Sequence, residues 1–364
     1  LQATGRAPAE HLVQLRNYLA VTTLAFAQPP ESERCDRILS LAAENGMDVE
    51  WAPCDDVDYT TMRNKIEGPA GRPWSWYHES ARQILEGNPE DIFDSWVYNV
   101  RPVTDDSPYF FNFFRWRSVP VLRRTYGDRW LAHAELGYAV LVFALAEVVV
   151  VGLVLILLPL LWLRRRDGTR QGGKLATGVY FTCLGLGYML LEMVCLFKFT
   201  RFLGDPIYSA ACVISGFLVF SGAGSAVSMR LFSSPRWATR CAVAVVLLWL
   251  AGVVWGLDDL FVALDAWPTA GRVLVALAVV APVAFAMGWP FPAGLALLER
   301  SAPPLVPWGW AANGFASVAA SPLAALVAVE SGFRTVFLAS GACYVVALVV
   351  VHGLAAPGKP DVGR

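Results

Sequence analysis

The sequence LGYAVLVFALAEVVVVGLVLILLPLLWLRRRD, residues 136–167, decides the fold. Before its cluster of arginines it carries one charge, Glu147, and a helix of about 20 such residues crosses the hydrocarbon core of a bilayer. Further apolar runs of similar length follow it, separated by turn and charge signals. The predicted membrane helices cover approximately 136–163, 175–197, 207–229, 239–257, 272–292, 308–329 and 335–354. The chain is therefore predicted to be a multi-pass membrane protein.

The composition indicates that the chain meets two different solvents. Hydrophobic residues make up 56% and charged residues 16% of the 364 residues, which is too apolar for a soluble surface. Most Asp and Glu residues precede Leu136, and long stretches after it carry no charge. We expect a mainly α protein, with a polytopic transmembrane bundle of about seven helices over 135–356 and a short tail over 357–364. A soluble, partial α/β segment over 1–134 precedes the bundle. The lipid bilayer is the expected partner, and nucleic acid is not.

The first part of the soluble segment is predicted to alternate helices and strands. Residues 8–17 look helical, and 18–26 (YLAVTTLAF) read as an apolar strand. A helix follows over 29–45, and a second strand covers 47–52. This spacing is typical of an α/β unit, and a buried, apolar strand favours a mainly parallel sheet. No glycine-rich nucleotide-binding loop occurs between residues 1 and 134.

The seven cysteines show no CxxC pair and no Cys/His spacing typical of a metal site. Five of them lie in apolar runs, where Cys packs as a small hydrophobic residue. We therefore expect neither a disulfide framework nor a metal site.

The most distinctive soluble motif is RPVTDDSPYFFNFFRW, residues 101–116. Asp105 and Asp106 beside the aromatic residues could hold an amine or another cation, because carboxylates supply charge and aromatic faces supply cation–π attraction. Alternatively, the two aspartates form a turn before Pro108, and the aromatic residues with nearby arginines lie at the membrane interface. Both hypotheses fit the motif.

The candidate polar residues inside the predicted spans are Glu147, Glu192 and Asn313. An ionised side chain near the bilayer centre costs at least about 2.5 kcal/mol unless it faces protein or water. Such residues indicate a polar cavity or a transport path, although a neutral Glu that is hydrogen-bonded to a neighbouring helix gives the same pattern. Helix breaks expected at Pro290 and Pro322 are found in transporters and in kinked bundles alike, and we favour the kinked bundle.

Small residues crowd the third apolar run, and they favour close packing of its helix against a neighbour. The loops around the runs also predict an orientation. The loops at 164–174 and 230–240 are basic, whereas the loop at 258–265 is acidic. By the positive-inside rule the basic loops are cytoplasmic, which puts the soluble segment outside and the C-terminus inside.

These motifs resemble those of large bacterial membrane proteins that carry a spermidine-synthase-like, or polyamine aminopropyltransferase-like, domain. The stretch TDDSPYFFNF at 104–113 is similar to the TDDxPFFF-type segment of that family. Stretches similar to its membrane portion lie at 184–192, 202–208, 289–294 and 308–314.

The resemblance implies that residues 1–134 are the C-terminal remnant of a class I methyltransferase-like α/β domain. The intact protein would be a transferase of the bacterial inner membrane, moving an aminopropyl or methyl group from decarboxylated S-adenosylmethionine or S-adenosylmethionine to a polyamine or other amine. The family's cofactor-binding positions have no match here, so we expect this chain alone to bind no cofactor and to be inactive. Asp105 and Asp106 are the candidate catalytic residues.

Two alternatives are a transporter for an amine or lipid-like substrate and a non-catalytic membrane anchor, which could form a homo-oligomer. The cofactor is made in the cytosol, so the transferase hypothesis needs a cytosolic domain and conflicts with the loop charges. On this point we slightly favour the cytosolic placement.

Overall fold

The structure, a computed structural model, describes residues 7–54, 66–67, 73–163, 171–232 and 234–355. The chain divides into two compact units. The first contains residues 1–101 and 115–118, and the second contains 102–114 and 119–364. Asp105 and Asp106, within the segment 102–114, therefore belong to the same unit as the apolar helices. Residues 164–170 of the predicted basic loop at 164–174, and the tail at 357–364, lie outside the described residues.

The first unit is built on a small antiparallel sheet, in which β1 pairs with β2 on one side and β3 on the other. A second, two-stranded sheet pairs β4 with β5. The strands are β1 Leu12–Arg16, β2 Val21–Ala25, β3 Asp48–Trp51, β4 Ile66–Glu67 and β5 Pro73–Trp74. The helices of this unit are α1 Ser32–Glu44, α2 Trp76–Glu86 and α3 Pro89–Ser95.

Three of the four elements predicted at the start of this unit are confirmed, namely the first strand as β2, the helix as α1 and the second strand as β3. The helix expected over 8–17 is wrong, because a short 3-10 turn and β1 occupy it. The mainly parallel sheet is also wrong, since both partners of β1 run antiparallel to it. The cause is a tight turn in which the Asn17 side chain accepts hydrogen bonds from the backbone N–H groups of Leu19 (2.9 Å) and Ala20 (2.7 Å). This turn folds the apolar run 18–26 back as an exposed edge strand.

The expectation of no disulfide is also wrong. Cys35, buried on α1, is bonded to Cys54, which follows β3, and their Cα atoms lie 6.5 Å apart. The two residues are separated by 19 positions and match no spacing motif. Their proximity comes from the packing of α1 along β3, which a search for short cysteine motifs does not detect.

The second unit is a helical bundle. Its helices are α4 Val119–Tyr126, α5 Leu136–Leu163, α6 Gln171–Leu203, α7 Pro206–Leu231, α8 Pro235–Ala263, α9 Thr269–Met287, α10 Pro290–Ser301 and α11 Val306–Val350. By length and composition, 6 helical stretches in the described residues could cross a membrane, with α9 and α10 taken together and α11 taken as one. The prediction of a multi-pass helical membrane protein is confirmed at this level.

The last helix, α11, is two helices joined at Gly332, where the backbone is not helical. In its first arm, 306–331, Asn313 donates a hydrogen bond to the Phe181 carbonyl of α6 (3.3 Å). Next to the break, Phe333 stacks on Phe197, near the other end of α6. In the second arm, 333–350, Ser340 donates to the Gly187 carbonyl (2.6 Å). The two arms therefore run along α6 in opposite directions, and the separate apolar runs predicted at 308–329 and 335–354 are both present.

Close packing of the third apolar run is confirmed where α7 meets α9. A Cβ atom at Gly224 would clash with the Phe285 carbonyl, and one at Gly288 would clash with the Ser221 carbonyl. The two backbones thus approach through positions that only glycine can fill. The helix break expected at Pro290 is also present, since α9 ends at Met287 and α10 begins at Pro290.

Candidate functional site

The segment 102–114, which contains Asp105 and Asp106, covers the break in α11. The backbone carbonyl of Asp106 accepts a hydrogen bond from the Phe333 N–H (2.8 Å), and its carboxylate accepts one from the Arg334 N–H (2.9 Å). A Cβ atom at Gly332 would clash with the same carboxylate. A carboxylate that receives the first N–H groups of a helix stabilises it. Asp106 thus caps the second arm of α11.

Further contacts fasten the segment 102–114 to the bundle. The Asn112 side chain donates to the Val329 carbonyl (3.4 Å), and the Tyr109 ring packs edge-on against Phe333. Burial raises the pKa of Tyr109 to about 12. Glu135 accepts hydrogen bonds from the backbone N–H groups that end the segment, and burial raises the pKa of this carboxyl while those bonds partly oppose the rise.

Asp105, the neighbour of the capping residue, lines a cavity of about 520 Å³. The cavity lies beside the C-terminal halves of α6 and α8, under the segment 102–114. Its charged lining residues are Asp105, Lys198, Arg201, Asp258 and Asp265, and its aromatic ones are Phe197, Phe202, Phe261 and Phe333. The cavity combines three carboxylates, two cations and four phenyl rings.

Ion pairs hold the cavity walls. Lys198 Nζ contacts both carboxylate oxygens of Asp258, at 2.7 and 2.9 Å, and lies 5.7 Å from the Phe333 ring centroid. Arg201 pairs with Asp105 in a contact whose two side chains are 60% and 61% exposed. The third carboxylate, Asp265, is 3.8 Å from the Arg272 guanidinium, beyond hydrogen-bond distance. Lys198 is therefore buried in its ion pair, whereas Asp105 and Asp265 are open to a ligand.

This arrangement fits an organic amine. The volume lies in the range of small-molecule sites, which are mostly apolar with a few converging polar groups. A positively charged ligand nitrogen can be held by a carboxylate oxygen and by the face of a phenyl ring together. Among the described residues, no cluster of three or more His, Cys, Asp or Glu side chains could hold a metal ion.

The intramembrane candidates are placed separately. Asn313 ties the first arm of α11 to α6 through the Phe181 carbonyl. Glu192 is buried on α6, and none of the described residues donates a hydrogen bond to it. Glu147 is exposed on α5. In the described part of the chain no contact joins these three side chains, so they do not form one site.

A second polar cluster, in the first unit, was missed by the sequence reasoning. Glu50 is fully buried on β3 and accepts hydrogen bonds from Arg16 Nε (2.5 Å) and from the Ser75 hydroxyl (2.5 Å). Asp48 lies on the same face of the strand, 4.0 Å from the Arg16 guanidinium. The available signal was the spacing of these carboxylates, since alternate strand residues share one face.

Comparison with known protein families, with curated proteins and with solved structures finds no match to this chain. What its geometry presents is a helical bundle of membrane-spanning length with a cavity of carboxylates and aromatic rings under the segment 102–114.

Proposed function

We propose that this chain binds a small organic amine in the cavity beneath the segment 102–114, as a step in moving that amine across the membrane. The observation that carries the proposal is the convergence of Asp105 and Asp265 with phenyl rings on one cavity of about 520 Å³. Both carboxylates have cationic neighbours that an incoming ammonium group can replace or supplement.

The Asp105–Arg201 pair sets how an amine would enter. Both side chains are more than half exposed, and exposed ion pairs contribute only about 0–1 kcal/mol. An amine can therefore displace Arg201 from Asp105 at little cost. Lys198 is held between Asp258 and the Phe333 ring and stays in place.

Passage across the membrane, beyond binding alone, is supported by Glu192. This residue lies on α6, between the cavity residue Lys198 and the Gly187 contact with the second arm of α11. It is a buried carboxylate that receives no hydrogen bond from the described residues. Intramembrane carboxylates of this kind commonly mark ion or proton paths.

Calorimetric titration of the detergent-solubilised protein with 1,4-diaminobutane tests the binding, and 1,4-butanediol serves as the uncharged probe of the same length. We expect Asp105→Asn to weaken diamine binding by about tenfold or more, the effect of losing one charge-assisted hydrogen bond. Asp128→Asn is the matched control, because Asp128 is an exposed carboxylate that does not line the cavity. If the diol binds as tightly as the diamine, or if Asp105→Asn binds the diamine as tightly as the unaltered protein, the proposal is contradicted. Amine uptake into vesicles that is insensitive to Glu192→Gln contradicts the passage step.

A second candidate is the membrane-bound transferase that the resemblance implies, acting in the bacterial inner membrane with an S-adenosylmethionine derivative as group donor. It is supported by the position of Asp105, a residue of the resembling motif, on the cavity wall. Titration of the intact protein with S-adenosylmethionine and with its decarboxylated form is the test. Saturable binding of either supports the transferase, and binding of neither contradicts it without affecting the amine site.

A further inference from the structure

Glu147 is the single acidic or basic residue between Leu136 and Leu155, the most apolar stretch of α5. At 1.5 Å of rise per residue it lies roughly 16 Å along the helix from Leu136, which is about the middle of a bilayer's hydrocarbon core. Its side chain is exposed, and none of the described residues forms a hydrogen bond or an ion pair with it. A carboxyl group is thus presented towards lipid at the least favourable depth.

This carboxyl group stands at one end of a crevice of about 450 Å³ between α5 and the first arm of α11. The crevice closes where Gly152 meets the Phe315 ring, because a Cβ atom at Gly152 would overlap that ring. The remaining lining residues are aliphatic or glycine, and Glu147 is the charged residue among them. The crevice therefore offers an apolar slot with one hydrogen-bonding and charged group.

The charge identifies the occupant. Lipid tails offer nothing to a carboxyl group, and phospholipid head groups stay at the interface, far from this depth. A second copy that packed through α5 would bring no Lys, Arg or His between Leu136 and Leu155. A molecule with an apolar body and an amino group satisfies both the slot and the carboxyl group.

We infer that the crevice between α5 and α11 is a binding site for a hydrophobic amine that enters sideways from the lipid phase. This site is separate from the cavity lined by Asp105, shares no lining residue with it and does not depend on the function proposed for it.

The test uses the full chain in lipid nanodiscs and a photoreactive benzophenone that carries a primary amine. The N-acetylated form of the same benzophenone is the uncharged control probe. We expect the amine probe to label α5 and the first arm of α11. Glu147→Gln should reduce this labelling by about tenfold or more, the factor for one lost charge-assisted hydrogen bond.

Two further variants separate the alternatives. Val318→Trp fills the crevice from a side chain that is already 59% exposed, and it should abolish labelling even though Glu147 is intact. Asp105→Asn should leave labelling unchanged, because it alters only the other cavity. Equal labelling by the acetylated probe, or undiminished labelling of Glu147→Gln, overturns the inference. So does efficient cross-linking of two chains through a Val151→Cys variant, since a second copy would then cover the crevice.

Discussion

Gly332 adopts a backbone conformation, φ 82° and ψ 169°, that is essentially restricted to glycine. Gly332 also leaves room for the Asp106 carboxylate, which lies where the Cβ atom of any other residue would be. We expect Gly332→Ala to lower the free energy of unfolding by about 1–3 kcal/mol, the usual cost of such a conformation for other residues. Thermal unfolding in detergent measures the change. Gly252→Ala is the matched control, because a Cβ atom there meets nothing within 4 Å, and its unfolding should be unchanged or occur at higher temperature.

Glu50 is the other residue whose replacement should be costly. Removing its carboxylate leaves Arg16 buried with a weaker partner, Asp48, at 4.0 Å. Breaking a buried ion pair on one side destabilises a protein by about 3–5 kcal/mol, and we expect Glu50→Ala to fall in that range. Urea unfolding of the intact protein measures the change in the free energy of unfolding. Glu33→Ala removes a largely exposed ion pair on α1, and an equal loss in that variant would contradict the argument.

Among the helices, α11 leads to the most specific prediction, because its two arms run along α6 in opposite directions. This arrangement brings Cys343 of the second arm next to Gly187 of α6, about one helical turn from Cys183. A straight helix would instead carry Cys343 roughly 16 Å beyond Gly332, away from Cys183. We expect a membrane-permeant oxidant to join these two thiols within one chain, as peptide mass spectrometry can show. Cys195 and Cys343 should stay unlinked, and absence of the Cys183–Cys343 peptide would contradict the hairpin.

At the same scale, the long apolar elements could be predicted from the sequence and the short polar contacts could not. Hydrophobicity summed over a whole span gives a strong signal, so every apolar run of the bundle reappears as a helix or as an arm of α11. The strand at 12–16 was missed because the chain reverses just after it, in a turn held by two hydrogen bonds to the Asn17 side chain. The cavity gathers Asp105, Lys198 and Asp258 from distant parts of the chain, and only the first of them belongs to a motif visible in the sequence.

For the whole molecule, the two ends of the bundle differ in charge. Asp258 and Asp265 line the cavity at one end, whereas Arg240 meets His352 at the other. The positive-inside rule assigns the basic end to the cytoplasm. The Cys35–Cys54 disulfide is an independent indication that the first unit lies in an oxidising compartment, because disulfides persist there. This indication favours the outside placement over the cytosolic one.

Cysteine labelling in intact cells tests this orientation. We expect a membrane-impermeant maleimide to label Asp259→Cys, at the acidic end, without lysis. Arg300→Cys, exposed at the end of α10, is the matched position on the basic end and should react only after lysis. The reverse pattern would place the cavity in the cytoplasm and would favour the transferase over an uptake function.

The cap that Asp106 places on α11 also determines the order in which the protein can mature. Arg334, whose backbone N–H donates to the Asp106 carboxylate, follows Asp106 by 228 positions. The ribosome therefore adds Arg334 long after Asp106 has left it. Contacts between such distant positions form late, because the intervening chain must first be ordered. During synthesis the segment 102–114 therefore lacks its contacts, and Tyr109 stays exposed, until the two arms of α11 are inserted. A nascent chain that stops before Gly332 would keep that aromatic surface exposed, and we expect membrane proteases to remove it.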